Sequence, residues 1–207
     1  KYKGCYLIAK SGIDMLNINY YNNQYAQKFI AEISGNYTDS DISNNSNMLY
    51  LLTDLPDKAR AMDCESGELI WTKDPQFPYP EFNRALVDKN IVYFSTAVGQ
   101  IIGLTIEDGI QIFTTAVLPD SIPVNISVTS DYLVADTRLR NSVSYVWVSY
   151  YKQTGSKYQL FPTNYETVAM FGLESENKVI IFCNENSNGH IITFNAEHNI
   201  VENNVTT

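Results

Sequence analysis

The residues best suited to chemistry are few. The chain holds two histidines, His190 and His198, and three cysteines, Cys5, Cys64 and Cys183. Neither histidine has a serine or cysteine near it in a nucleophile-elbow pattern, so no acyl-transfer triad is read from the sequence. The two histidines can be drawn with Glu185 and Glu197 as a metal set, but a tetrahedral site needs its donors fixed by short, recurrent spacings, and these match none. No Cys-x-x-Cys or adjacent cysteine pair occurs, which leaves neither a zinc site nor a disulfide framework. The cysteines read as small buried hydrophobes, and their odd number favours a reducing compartment, the cytoplasm over the periplasm or the exterior. Gly99-Gln-Ile-Ile-Gly103 lies on a strand and does not open a helix, so it is no phosphate loop. Asp14, Asp54, Asp136 and Glu185 fall near strand ends, where a carboxylate pair for sugar hydrolysis can converge. In an acidic chain such carboxylates more often just face water. No catalytic residue, cofactor or metal ligand is assigned, and the chain is not expected to be an enzyme.

Recognition chemistry is better represented. Asp74-Pro-Gln-Phe-Pro-Tyr-Pro-Glu-Phe82 packs three prolines and three aromatics into nine residues. Such a segment either folds its rings over a sheet edge or presents them to a partner, because rigid aromatics lose little entropy on binding. A second aromatic stretch holds Tyr145, Trp147, Tyr150, Tyr151 and Tyr158. The residues taken as partner-binding are Phe77, Tyr79, Glu81, Phe82, Tyr150 and Tyr151. Four Asn-x-Ser/Thr sequons, at Asn36, Asn44, Asn125 and Asn204, are what so Asn-rich a chain gives by chance, and no glycosylation is inferred.

Charge narrows the partner. The chain has 207 residues, with 14 Lys+Arg against 23 Asp+Glu, a net charge of −9. Nucleic acid is held by clustered basic residues, and the longest basic grouping here is Arg138-Leu-Arg140, so a nucleic-acid partner is not expected. A protein with a basic surface is, since complementary potentials speed encounter. No apolar run approaches the roughly 18 residues of a membrane-spanning helix. The segment Lys1-Tyr-Lys-Gly-Cys-Tyr6 runs straight into strand-like sequence without an apolar leader. With 44% hydrophobic and 13% aromatic residues there is ample material for one buried core.

The elements that must position these residues are strands. Met48–Thr53, Ile91–Thr96, Ile110–Thr115, Tyr145–Tyr150 and Lys178–Cys183 are short runs of apolar, aromatic and β-branched residues bounded by turn formers. No segment keeps a helical apolar period over three turns. The strands repeat. Ala59 to Trp71 (a strand, a Glu-Ser-Gly turn, a strand ending in Trp) aligns without a gap on the segment ending Gly109-Ile-Gln-Ile-Phe113. The same hairpin recurs around Gly155, Asn199 and Asn23. The turn residues Asn23, Gly67, Gly109, Gly155 and Asn199 are spaced by 44, 42, 46 and 44 residues. Gly and Asn are the residues that best tolerate positive φ in a tight turn. Each full repeat holds about four strands, the content of one propeller blade. The expected fold is all-β, a single-domain β-propeller of about five four-stranded antiparallel blades over residues 1–36, 37–80, 81–120, 121–164 and 165–207. The first blade has three or four strands, since only three residues precede its Gly4–Ile8 strand. The chain is then a five-bladed ring with one thin blade, or an arc of a larger propeller.

Ala61-Met-Asp-Cys-Glu-Ser-Gly-Glu-Leu-Ile-Trp71 resembles the repeat of the quinoprotein-type, PQQ-like β-propellers, matching it at Ala61, Asp63, Gly67 and Trp71, with Ser66 in place of Thr. The Gly103–Phe113 segment keeps the Gly, but has Thr105 for Asp and Phe113 for Trp. The quinone-dependent dehydrogenases that this family includes carry an adjacent Cys-Cys pair and a longer chain, both missing here. The resemblance therefore implies the non-enzymatic branch, with Trp71 a packing residue between blades. The reading is a non-catalytic, protein-binding propeller, in its sharpest form an inhibitor or immunity protein capping a basic toxin or enzyme. The alternatives are a small glycoside hydrolase or sugar binder using the central channel, and a cell-envelope assembly scaffold.

Overall fold

The computed structural model describes residues 4–10, 15–22, 27–43, 48–54, 58–64, 66–74, 82–97, 99–115, 120–140 and 144–206. Among these residues there is no helix. Nineteen strands among the described residues form five antiparallel sheets, each from consecutive strands. The first holds β1 (Gly4–Lys10), β2 (Met15–Asn22) and β3 (Gln27–Ser34). The second holds β4 (Asn36–Ile42), β5 (Met48–Asp54), β6 (Lys58–Asp63) and β7 (Leu69–Lys73). The third holds β8 (Phe82–Asp88), β9 (Ile91–Thr96), β10 (Ile101–Thr105) and β11 (Gln111–Thr114). β12 (Ser121–Val128), β13 (Tyr132–Leu139), β14 (Tyr145–Tyr151) and β15 (Lys157–Thr163) make the fourth. β16 (Glu166–Leu173), β17 (Lys178–Glu185), β18 (Asn188–Asn195) and β19 (Ile200–Thr206) make the fifth.

Register identifies what the first sheet lacks. The last strand pair of the second, fourth and fifth sheets carries a bulge, between Ala61 and Met62, Ser149 and Tyr150, and Thr193 and Phe194. β2 and β3 carry the same shift, between Ile18 and Asn19. The three strands of the first sheet are thus the counterparts of the second to fourth strands elsewhere, and its leading strand is not among the described residues. A leading-pair bulge also recurs, between Tyr37 and Asp39, Pro123 and Asn125, and Thr167 and Ala169. Bulges fix register and increase twist, so their recurrence gives position-by-position equivalence between sheets.

The chain divides into two compact units, Lys1–Phe94 with Gly103–Ile112, and Ser95–Ile102 with Phe113–Thr207. In the first unit Ile18, Leu49, Leu51, Met62 and Cys64 form a buried core, with Ile8 and Ile33 packed on it. The other face of the second sheet is equally closed: Tyr50, Leu52, Ala59 and Ala61 are fully buried. The Tyr50 hydroxyl and the Trp71 Nε1 both donate to the Ile106 carbonyl, at 3.2 and 3.1 Å. Trp71 is thus the packing aromatic that its place in the repeat implied. Leading strands are joined through side chains, with the Ala85 and Val87 amides donating to Asp39 and Asp41 carboxylates of β4 at 2.9 and 2.7 Å.

The second unit centres on Tyr132, Val134 and Trp147 of the fourth sheet against Val179, Ile181, Cys183, Ile192 and Phe194 of the fifth. Trp147 stacks between Phe161 and Tyr165, at 5.5 and 6.0 Å, and meets Phe194 edge-on at 5.3 Å. Two leading strands touch backbone to backbone: a Cβ on Gly172 would lie 1.5 Å from the Val128 carbonyl oxygen.

The turn residues read from the spacing do adopt positive φ: Gly67 at 75°, Gly109 at 65°, Gly155 at 68° and Asn199 at 54°. Asn23 lies outside the described residues. The turns also lie against the preceding sheet. A Cβ on Gly109 would meet the Trp71 ring at 2.9 Å, one on Gly155 would meet the Thr114 carbonyl oxygen at 2.1 Å, and Asn199 Nδ2 donates to the Leu160 carbonyl at 3.0 Å.

Candidate functional site

The fifth sheet has one closed and one open face. In β17, Val179, Ile181 and Cys183 point into the core, so Ile180 and Phe182 point the other way. Register extends that second face across the sheet, pairing Ala169 with Phe182 and Phe171 with Ile180. It then pairs Phe182 with Ile191, and Ile191 with Val205. The result is a continuous apolar surface of Ala169, Phe171, Ile180, Phe182, Ile191 and Val205. Phe171, Phe182 and Val205 are 57%, 39% and 50% exposed. Phe171 and Phe182 meet edge to face, with ring centroids 5.9 Å apart. At one border Lys178 bridges Glu176 at 3.0 Å and Glu202 at 3.1 Å, a charged rim beside an apolar centre.

A buried polar cluster lies between the fourth and fifth sheets. Asp136 is fully buried beside the Asn125 and Thr167 side chains, and neither of its carboxyl oxygens completes a hydrogen bond. Burial pushes this carboxyl up to about 7, against the opposing pull of Thr167 and Asn125, and Glu166 adds to the rise. Burial, then the charges of Asp136 and Glu185, push the Cys183 thiol up to about 11. The Trp147 Nε1 donates to the Thr167 hydroxyl at 3.2 Å. His190 packs its ring 5.2 Å from Tyr165 and shares Nδ1 contacts of 3.3 Å with Asn204 and Thr206. A thiol held protonated at neutral pH and shut away from solvent is a packing group, not a nucleophile.

The residues singled out in the sequence fall in several places. Phe77, Tyr79 and Glu81 lie outside the described residues, and so does the side chain of Phe82, whose backbone opens β8. Tyr150 corrects an expectation: it is fully buried, its phenol is pushed well above the ordinary value by that burial, and it faces no partner. Its neighbour Tyr151 is 39% exposed and packs with Tyr132 and Tyr158, at 5.4 and 4.9 Å. The two tyrosines point to opposite faces because they are consecutive on β14. Of the four scattered carboxylates, Asp136 is buried and Glu185 partly so, while Asp14 and the side chain of Asp54 lie outside the described residues. Among the described residues no three His, Cys, Asp or Glu side chains converge as metal ligands, and no helix is long and apolar enough to cross a membrane. The open face of the fifth sheet was missed from sequence, although β17 carried a signal: it is apolar on both of its alternating sets.

Solved structures supply the comparison that decides the fold. The chain superimposes over 98% of its length on Sqt1 of Saccharomyces cerevisiae, with a TM-score of 0.73 and 11% identity. It superimposes over 96% on the Dos1 propeller, at 0.67 and 16% identity. The fold is a β-propeller. BamB of Moraxella catarrhalis is matched over 99% of the chain, with a TM-score of 0.59 and 14% identity. The propeller described here spans 58%, 56% and 62% of these three chains respectively. Identities this low establish the fold alone. No family model and no curated protein matches the chain.

Proposed function

We propose that the chain is a non-catalytic, protein-binding propeller of the PQQ-like repeat type, and that it meets its partner through the open face of the fifth sheet. One observation carries the reading: Phe171, Phe182 and Val205 stand exposed side by side on a sheet whose other face is core. A contiguous exposed apolar patch with a charged rim is a feature of interaction surfaces, because it keeps apolar area in water until a partner covers it. The chemistry of the described acids is consistent with binding. Asp39 and Asp41 accept from backbone amides, and Asp136 is sealed in the core.

The net charge of −9 favours a partner whose rim is basic, which is the character of a toxin or enzyme held by an acidic inhibitor or immunity protein. Capture from native-host extract, with Phe171→Asp/Phe182→Asp run beside the parent chain, tests the reading. The parent should retain a partner that the double variant loses. Equal recovery by both, or no protein recovered by either, contradicts it.

A further inference from the structure

Asp136 stands where the strand pairing does not call for a charge. The leading-pair bulges place Leu52, Asp136 and Phe182 at equivalent positions, each being the partner of the residue just after the bulge. Two of the three are apolar, so the repeat itself requires no carboxyl there. Asp136 is nevertheless fully buried, with neither oxygen completing a hydrogen bond. The donors beside it are engaged elsewhere: Asn125 Nδ2 donates to the Thr167 carbonyl at 3.5 Å, and Trp147 Nε1 to the Thr167 hydroxyl at 3.2 Å. A carboxyl shut in this way is tolerated when neutral and costly when ionised.

Its surroundings offer the charged form little relief. β12 and β14 bring Asn125 and Trp147 to its two sides, neither of them charged. From the fifth sheet, Glu166 of β16 adds a like charge, and Cys183 of β17 lies close enough to respond to Asp136 and to Glu185. His190 of β18 is the register partner of Cys183, and Arg138, two residues along β13, is exposed. Trp147 and Cys183 belong to the core that joins the two sheets, so Asp136 sits in the seam that holds them together.

We infer that the seam between the fourth and fifth sheets is a proton-controlled latch, which Asp136 holds shut as a neutral acid and which opens locally, making Cys183 reachable, once Asp136 gives its proton to solvent. The direction follows from linkage. The carboxyl titrates at about 7 in the closed seam and at 3.8 ordinarily, so between those values the closed seam carries a proton that the open seam has lost. The stabilisation is complete below about pH 4 and is lost as pH rises through about 7. The Cys183 thiol, pushed up to about 11, keeps its proton across that window and does not drive the opening. The latch is separate from partner binding on the open face and stands without it.

The test alkylates the unaltered chain with iodoacetamide between pH 5 and 8 and locates the modified cysteines by peptide mass. Each rate is divided by that of a free cysteine peptide at the same pH, which removes the ordinary thiolate dependence. The normalised rate at Cys183 should rise about fiftyfold from pH 5 to 7, and by about twofold or less from 7 to 8. Cys64, in the apolar core of the first unit, reports wider unfolding, and Cys183 should outpace it by about tenfold or more at pH 7. Asp136→Asn should abolish the rise. Asp136→Leu, which installs the residue type found at position 52, should keep labelling slow at every pH, and serves if the asparagine variant does not fold. A flat profile in the parent chain overturns the proposal. So does a rise that persists in a folded Asp136 variant, which would place the titration on His190, and so do equal rates at Cys183 and Cys64, which would make the opening part of general unfolding.

Discussion

The fourth and fifth sheets present the same kind of face in two states. On the fourth, Tyr132, Val134 and Trp147 are closed off by the fifth, and the closure is dense enough to hold a carboxyl, Asp136, with no completed hydrogen bond. On the fifth, the equivalent row of Ile180, Phe182 and Ile191 meets solvent. Repeat architecture explains the difference. A blade cannot bury both faces by itself, so each sheet depends on its neighbours to cover them.

Substitutions at the two faces should separate sharply. Trp147→Ala empties the centre of the closed face and should cost about 3–5 kcal/mol in urea unfolding, the range for large aromatics lost from a core. A cost below about 1 kcal/mol would mean that the two sheets are not tightly joined. Asp136 gives the closed face a pH signature that the open face lacks. Its carboxyl titrates at about 7 in the folded chain, against 3.8 ordinarily, so between those values the folded chain holds a proton that the unfolded chain has lost. Stability should fall as pH rises from about 4 to about 7, by on the order of 4 kcal/mol, and level off above. Asp136→Asn should flatten that slope in unfolding curves taken across the window, while Phe182→Asp, at a solvated position, should introduce no comparable one.

Gly172→Ala probes how closely the leading strands of the two sheets approach. The added methyl meets a backbone carbonyl, so a loss of about 3 kcal/mol or more in midpoint-derived stability is expected. A neutral result would show that the strands part easily. The smallest effect belongs to the open face: Phe171→Ala and Phe182→Ala should each change stability by about 1 kcal/mol or less, because much of each ring is already in water. Their larger effect should be on partner capture.

What could be read in the sequence depended on whether the cause was local. Positive φ is a demand of single turn residues, and Gly67, Gly109, Gly155 and Asn199 were legible from spacing for that reason. The three described strands of the first sheet match the thin first blade expected from the repeat. The outer side of β17 was not, because Val179-Ile-Ile-Phe182 gives no clue to which alternate residues are covered; that depends on which sheets exist on each side. Tyr150 and Tyr151 were read as one aromatic surface, yet strand alternation sends one into the core. Asp136 looked like any other strand-end carboxylate, since its burial arises from Trp147, Thr167 and Cys183, residues far from it in sequence.

The most direct test compares the two faces in the same molecule. Single cysteines at Val134→Cys on the closed face and Phe182→Cys on the open one are labelled under native conditions in the otherwise unaltered chain. The account predicts that the thiol at 182 reacts at close to the rate of a free thiol and that the thiol at 134 reacts about a hundredfold more slowly, limited by opening of the core. Equal protection at the two positions would show that the fifth sheet's face is already covered and would contradict the account.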